Sequence, residues 1–355
     1  MDNSSHADSA PLVSVVIPNY NYARYLGLRL ESVLSQTFQD FEIILLDDAS
    51  TDNSVEVING FADNPKVSGI EINRSNTGSP FKQWEKGISM ARGKYVWIAE
   101  ADDLATPYFM ESCVGIMEND SKVNVVKSMS RLIDSDGNHL DCNPYTPGYI
   151  YDYSKDDGRV SIYPGDEYIA ERMLRINGFY NASGVMFRKE AWRKLEDRSY
   201  RDFRYAGDWL FWGLLMHGGR VAEIGEKMNI FRIHGKSVTV EGHVFKARLY
   251  AEGELVKARL ERLVDSILNV DFKRLRSYNY SKLEHKAKYK EVVAELERLE
   301  PGFMANHSVR NGYAGKWLWK HFILPLTTTA KIPKAIDALI PITTFPLNFR
   351  NFRKS

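Results

Sequence analysis

Ile43-Ile44-Leu45-Leu46-Asp47-Asp48 and Tyr95-Val96-Trp97-Ile98-Ala99-Glu100-Ala101-Asp102-Asp103 are two apolar runs that each end in carboxylates. Ionised acids are poor residues for the buried body of a strand. Each cluster therefore stands where a strand ends. Two such ends in one α/β unit make a site for a metal and a phosphorylated ligand, which points to an enzyme.

Working outward, the first half alternates between two periods. Residues 12–17 predict a strand stopped by Pro18. Residues 24–34 have helical spacing, with Tyr25, Leu26, Leu30, Val33 and Leu34 on one face. Residues 41–46 predict a second strand, and Ser50, Thr51 and Asp52 offer cap oxygens for a helix through Phe61. A third strand over 67–72, a helix over 80–91 and a fourth strand over 95–99 follow. Pro107 suits the first turn of a helix reaching about Asn119. Strands and helices in this alternation predict an α/β fold, a mostly parallel sheet with helices on both faces. Ligands of such sheets sit beyond the strand carboxyl ends, where Asp48 and Asp103 fall.

The second half is less regular. Residues 123–129 and 184–187 predict strands, 166–175 and 209–217 helices, and 141–158 a loop over an acceptor. After Gly242 two charged amphipathic stretches, 244–269 and 282–299, predict a helical appendage. The expected organisation is a disordered tail over 1–10, a catalytic domain over 11–242, a helical region over 243–300 and a basic amphipathic region over 301–355.

The chain has 355 residues and a formal net charge of +1, so no overall field argues for nucleic acid. Cys113 and Cys142 are the only cysteines, which fits a reducing compartment. Residues 1–10 lack the apolar core of a secretory signal, and no charge-free apolar stretch reaches the ~18 residues of a spanning helix. The expectation is a cytoplasmic protein, soluble or attached to the inner face of the membrane. From Pro301 onward eight Lys or Arg face a single acid, Asp337, and Trp317, Trp319 and Phe322 lie among the lysines. That mixture suits either a peripheral membrane contact or a basic tail anchored on the domain.

Asp102 and Asp103 repel one another unless a cation or donors intervene. A Mg²⁺ or Mn²⁺ bridging a diphosphate would offset that repulsion. The alternative is an acidic turn capping the next helix. Asp47 and Asp48 would bind a base N–H or a ribose hydroxyl, or cap a helix themselves. Pro18 and Tyr20 lie in a loop that would flank a planar base or merely support the turn. Asp208 is a helix-start acid, a cap or a base. His234 is a lone histidine, weak evidence for either metal or base.

The stretches 13–21, 30–37, 42–54, 76–78 and 93–103 together resemble the family 2 glycosyltransferases, enzymes of the Rossmann-like GT-A fold that use nucleotide-activated sugars. The resemblance covers about residues 11–113 and, more weakly, 208–240. It implies that Asp48, with Asp47 beside it, binds the nucleotide base, and that Asp102 and Asp103 engage diphosphate and metal. It implies that Asp208 activates the acceptor and that His234 contacts metal or phosphate. Lys82 is then the cation near phosphate. The chain departs from the family pattern at Ala101, read as the first position of the aspartate-any-aspartate element, and at Gly207, where an acid usually precedes Asp208. The implied reaction is inverting transfer from a nucleotide-diphosphate sugar to a hydroxyl of a glycan or lipid-linked acceptor, in envelope polysaccharide synthesis. A catalytically inactive nucleotide-sugar- or glycan-binding assembly protein is the alternative.

Overall fold

A computed structural model describes residues 10–142, 144, 156–179, 181–235, 246–267 and 286–303. Four strands, β1 (Val13–Asn19), β2 (Phe41–Asp47), β3 (Val67–Ile72) and β4 (Tyr95–Ile98), run parallel in the order β3-β2-β1-β4. Beyond β4 the sheet continues through strands from later in the chain. These are β5 (Leu104–Ala105), β6 (Val123–Ile133), β7 (His139–Leu140), β8 (Val160–Pro164), β9 (Val185–Arg188) and β10 (Arg220–Arg232). The order there is β4-β9-β6-β10-β5, with β9 antiparallel to both of its neighbours. The sheet is therefore mixed: it is parallel from β3 to β4, as the βα alternation predicts, and again between β6 and β10, while β5, β7, β8 and β9 pair antiparallel.

Period-two alternation divides the core between two faces. Val13, Val15, Ile17, Ile43 and Leu45 pack against α1 (Ala23–Leu34) and α4 (Phe109–Asn119), through residues such as Leu26, Leu30, Phe109 and Met110. Val16, Ile44, Leu46, Val96 and Ile98 face α3 (Pro80–Met90) and α7 (Gly207–Met216) through Phe81, Trp84, Ile88 and Phe211. The remaining short helices are α2 (Ser54–Gly60), α5 (Gly165–Tyr168), which runs on into a π-helical turn at Ile169–Met173, and α6 (Lys189–Arg193). At Gly87 α3 lies so close to β1 that a Cβ would come 2.2 Å from Val16 Cγ1.

Pro18 does not stop β1. It pairs in register with Leu46, and the strand ends one residue later. The reason lies on the other side of the strand: the Val16 carbonyl accepts from Ala99 on the β4 side, and β4 ends there. Pro18, two residues on, faces that same side, where no partner needs its missing N–H. β10 is the other element that local pattern hides, because Glu223, Glu226, Lys227 and Asn229 interrupt its apolar alternation.

α8 (Lys246–Leu263) and α9 (Lys286–Leu299) form the helical appendage. Their Leu255, Leu260, Val292 and Leu296 are buried in the same cluster as α7. Among the described residues no helix is long and apolar enough to cross a membrane. Most of the 301–355 region, including Trp317 and Trp319, lies outside the described residues.

Candidate active site

The carboxyl ends of β1 and β2 are stitched together by polar side chains. Asp47, fully buried, accepts from Asn19 Nδ2 (2.8 Å), Ser50 Oγ (2.6 Å) and the Ser50 N–H (2.8 Å). Asn21 completes the clasp, donating its N–H to Ser50 Oγ and accepting from Thr51 N. Asn21 and Ala49 hold left-handed backbone, φ 59° and 61°, a conformation that persists in non-glycine residues only where the surroundings enforce it. Tyr20 projects from this loop and is 45% exposed, free to flank a planar ligand.

Asp48 is bonded more heavily still. Its Oδ1 accepts from Asn73 Nδ2 (2.7 Å), Gln83 Nε2 (2.9 Å) and Thr77 N (3.0 Å), and its Oδ2 from Thr77 Oγ1 (2.8 Å). The carboxylate thus moulds the loop Asn76-Thr77-Gly78. Lys82, expected near phosphate, is exposed at the start of α3, and its neighbour Gln83 is the residue that reaches Asp48.

Past β4 the chain turns so that Ala101 points into the apolar cluster with Trp97 and Phe109, fully buried. An acid there would lose its hydration without a partner, so residue 101 is not a ligand position. The clustered acids are Glu100, Asp102 and Asp103. Glu100 accepts from Trp84 Nε1 (2.8 Å), and its carboxyl is pushed up to about 8, by burial first and by the Asp102 charge next. Asp103 accepts from Ser183 Oγ (2.6 Å), Asn181 Nδ2 (2.8 Å) and Arg232 N (2.9 Å). Burial and the adjacent Asp102 raise its pKa. Asp102 Oδ2 pairs with His234 Nε2 at 2.9 Å, and His234 stacks on Tyr25 and meets Tyr22 edge-on. Burial and then these acids push the Tyr22 phenol up, so it stays a neutral donor beside them. Beneath lies Arg29, fully buried, its Nε donating to the Glu100 carbonyl at 2.9 Å.

Among the described residues no three His, Cys, Asp or Glu side chains converge as metal ligands. Asp103 spends both oxygens on protein donors and His234 is paired with Asp102, so neither is an open ligand. What remains is the mode in which a hard cation takes one or two carboxylates and completes its shell with phosphate and water. Asp102 Oδ1, which has no hydrogen bond from a described residue, and Glu100 are the oxygens that fit it.

Asp208 opens α7. Its Oδ2 accepts from Asn177 Nδ2 (3.0 Å), while Oδ1 is shut from solvent without a partner among the described residues. Burial raises its pKa to about 6, against the bonds from Trp209 N–H and Asn177. That is the range in which a carboxylate serves as a general base near neutral pH. Gly207 before it has a steric cause: a Cβ would lie 2.4 Å from the Tyr200 carbonyl oxygen and 2.5 Å from the Phe81 ring.

Two segments bring the acids together. On α3, Gln83 holds Asp48, Trp84 holds Glu100 and Phe81 abuts Gly207. On the loop before β9, Asn177 holds Asp208, while Asn181 and Ser183 hold Asp103. Sequence reading missed these bridging residues, since a lone Asn or Ser in a loop carries no signature.

A family model, "Glycosyl transferase family 2", matches residues 14–193, half of the chain. The chain belongs to this family. An uncharacterized glycosyltransferase of Haemophilus influenzae is 24% identical over 289 residues, 81% of this chain and 85% of the relative. The hyaluronan synthase of Pasteurella multocida is 34% identical over 134 residues, 38% of this chain but only 14% of that enzyme. Among solved structures, S. aureus TarS 1–349 in complex with UDP-GlcNAc superposes with a TM-score of 0.53 at 15% identity, covering 92% of this chain and 83% of that one. The mannosyltransferase PcManGT of Pyrobaculum calidifontis, in complex with GDP-Man and Mn²⁺, gives 0.50 at 14% identity, covering 90% and 81%. At such identities the superpositions show the fold, and the fold of this family-2 chain is GT-A.

Proposed function

We propose that this family-2 chain transfers a sugar, with inversion, from a nucleotide-diphosphate donor to a hydroxyl of a glycan or lipid-linked acceptor, in envelope polysaccharide synthesis. The observation that carries the reading is that one short stretch of chain holds both ends of the site, Asn177 bonding to Asp208 and Asn181 and Ser183 to Asp103. The nucleotide would lie over the β1 and β2 loops, flanked by Tyr20, with Asp47 and Asp48 shaping the pocket. Similar structures hold UDP-GlcNAc or GDP-Man, which supports this class of donor.

The Asp208 carboxylate would accept the proton of the acceptor hydroxyl as the acceptor oxygen forms a bond to the anomeric carbon. The bond from that carbon to the diphosphate breaks on the opposite face, which inverts the centre. Tyr22 would donate to the departing phosphate, and Lys82, exposed at the start of α3 and without an ion pair among the described residues, would add positive charge. A Mg²⁺ or Mn²⁺ held by Asp102 and Glu100 would supply charge stabilisation to the leaving diphosphate. The reading gives the protein a cytoplasmic location, with the basic C-terminal region meeting anionic lipid beside the acceptor.

The two departures that favour a non-catalytic sugar-binding protein, Ala101 and Gly207, both have packing causes. The test uses a panel of UDP-, GDP- and dTDP-sugars, screened by thermal shift with Mn²⁺ and then assayed for release of nucleoside diphosphate. D208N is expected to bind the selected donor normally and to lose transfer. Full transfer by D208N refutes the base assignment, and release no higher than in a heat-killed control from every donor refutes the enzyme reading.

A further inference from the structure

The helix that carries the proposed base has no cap of its own. α7 begins at the cap position with Ala206, whose methyl group cannot accept a hydrogen bond. The N–H groups of Arg204, Tyr205 and Ala206 donate instead to the carboxylate of Glu252, at 3.0, 2.7 and 3.0 Å. Glu252 is fully buried and comes from α8, the first helix of the appendage. Arg248, one turn earlier, donates to the same carboxylate at 2.9 Å. A buried carboxylate with four donors, three of them backbone, fixes the segment that leads into α7.

Asn177 holds the base from the other side, and it is itself held. Its Oδ1 accepts from Phe179 N at 3.0 Å, and the carbonyl of Gly178 between them accepts from Lys127 Nζ at 3.0 Å. Lys127 is buried and paired with Glu223 at 3.0 Å. The carboxamide that aims Asp208 Oδ2 is thus braced by a buried ion pair on the sheet. The other charged groups around the start of α7 are engaged elsewhere. Arg204 donates to the Gly78 carbonyl, Lys257 lies over the Trp209 ring, and Arg248 is spent on Glu252.

We propose that Asn177 and Glu252 are positioning residues of the transfer step, Asn177 aiming the Asp208 carboxylate and Glu252 fixing the helix end that bears it. The helical appendage is then a working part of the catalytic site. This rests on Asp208 being the base.

The test compares full-length wild type, N177A, N177S, E252Q and D208N, with circular dichroism to establish that each is folded. The probe is the donor selected by thermal shift, with release of nucleoside diphosphate to water or an alkyl glycoside followed from pH 5 to 9. N177A and N177S lose a hydrogen bond to a charged group, and kcat is expected to fall about 10–100-fold with donor affinity unchanged. Without that donor the carboxylate ionises less readily, so the acid limb of the profile moves to higher pH. E252Q keeps an oxygen for the cap but removes a like charge near Asp208, so its limb moves to lower pH while kcat falls. A merely structural role would move neither limb.

Wild-type kcat and an unmoved limb in N177A, N177S and E252Q, with D208N inactive, overturn this inference and leave the base assignment standing. A fully active D208N overturns the base assignment and this inference with it. If E252Q fails to fold, the two Asn177 variants still decide for Asn177, and E252D decides for Glu252, because its shorter side chain keeps the charge but draws the carboxylate back from the three N–H groups. A lowered kcat with donor affinity unchanged there supports the proposal, and wild-type kcat overturns it.

Discussion

Replacing Glu223 by Gln should remove about a quarter to a half of the stability of an ordinary domain. Glu223 is 4% exposed in β10 and accepts from Lys127 (3.0 Å), Arg172 (2.9 Å) and Tyr168 Oη (2.7 Å). Burial alone would raise its pKa, but the Lys127 and Arg172 charges prevail and bring it from 4.5 down to about 2. At 1.36 kcal/mol per pH unit that displacement corresponds to ~3 kcal/mol of stability at neutral pH. Removing one partner of a buried pair independently suggests ~3–5 kcal/mol, since Lys127 is left charged in an apolar setting. The assay is equilibrium urea unfolding followed by circular dichroism, for wild type and E223Q, from pH 7 down to pH 3. The folded pKa is depressed, so the contribution is complete above the unfolded value near 4.5 and is lost as pH falls toward 2. The difference between the two proteins should therefore stay constant from pH 7 to about 5 and narrow below 4.5. A difference under ~1 kcal/mol at pH 7 would refute the reasoning, because a buried pair cannot be broken so cheaply. So would a gap that stays constant on acidification.

Other perturbations probe the site directly. D208N should stabilise the fold by ~1–2 kcal/mol at pH 8, because a raised carboxyl pKa makes the ionised group a liability above about pH 6; the gain should vanish below pH 4, and urea unfolding at both pH values checks it. D48A strands the donors of Asn73, Thr77 and Gln83, so thermal unfolding should show a loss of ~3–5 kcal/mol, whereas T77V should lose only ~1–2 kcal/mol. G207A drives a methyl into the Tyr200 carbonyl and should cost ~1–3 kcal/mol in the same assay, with a fall in transfer as Asp208 shifts. Calorimetric titration of Mn²⁺ should show weak binding to the free protein and tighter binding once a nucleoside diphosphate is present, an order that equal affinities would contradict.

Local chemistry alone determines the first four strands and the helices between them. Apolar runs repeat there with the period of a βα unit, and strands that end in acids put Asp48 and Asp103 at the same edge. That is also why the family is legible in residues 13–103. The reading of Ala101 shows the limit: spacing along the chain does not say which way a residue faces after a strand ends, and the turn sends residue 101 into the core. Only the tertiary structure decided that β9 enters antiparallel between β4 and β6, since strand pairing across the chain depends on long-range register. Only it brought Asn177 to Asp208 and Ser183 to Asp103, contacts that span 31 and 80 residues. A hydrogen bond between distant residues leaves no periodicity behind, because it is set by where two surfaces meet. The same holds for Glu252, which reads as one more acid on a charged helix until the fold carries it to three unpaired N–H groups.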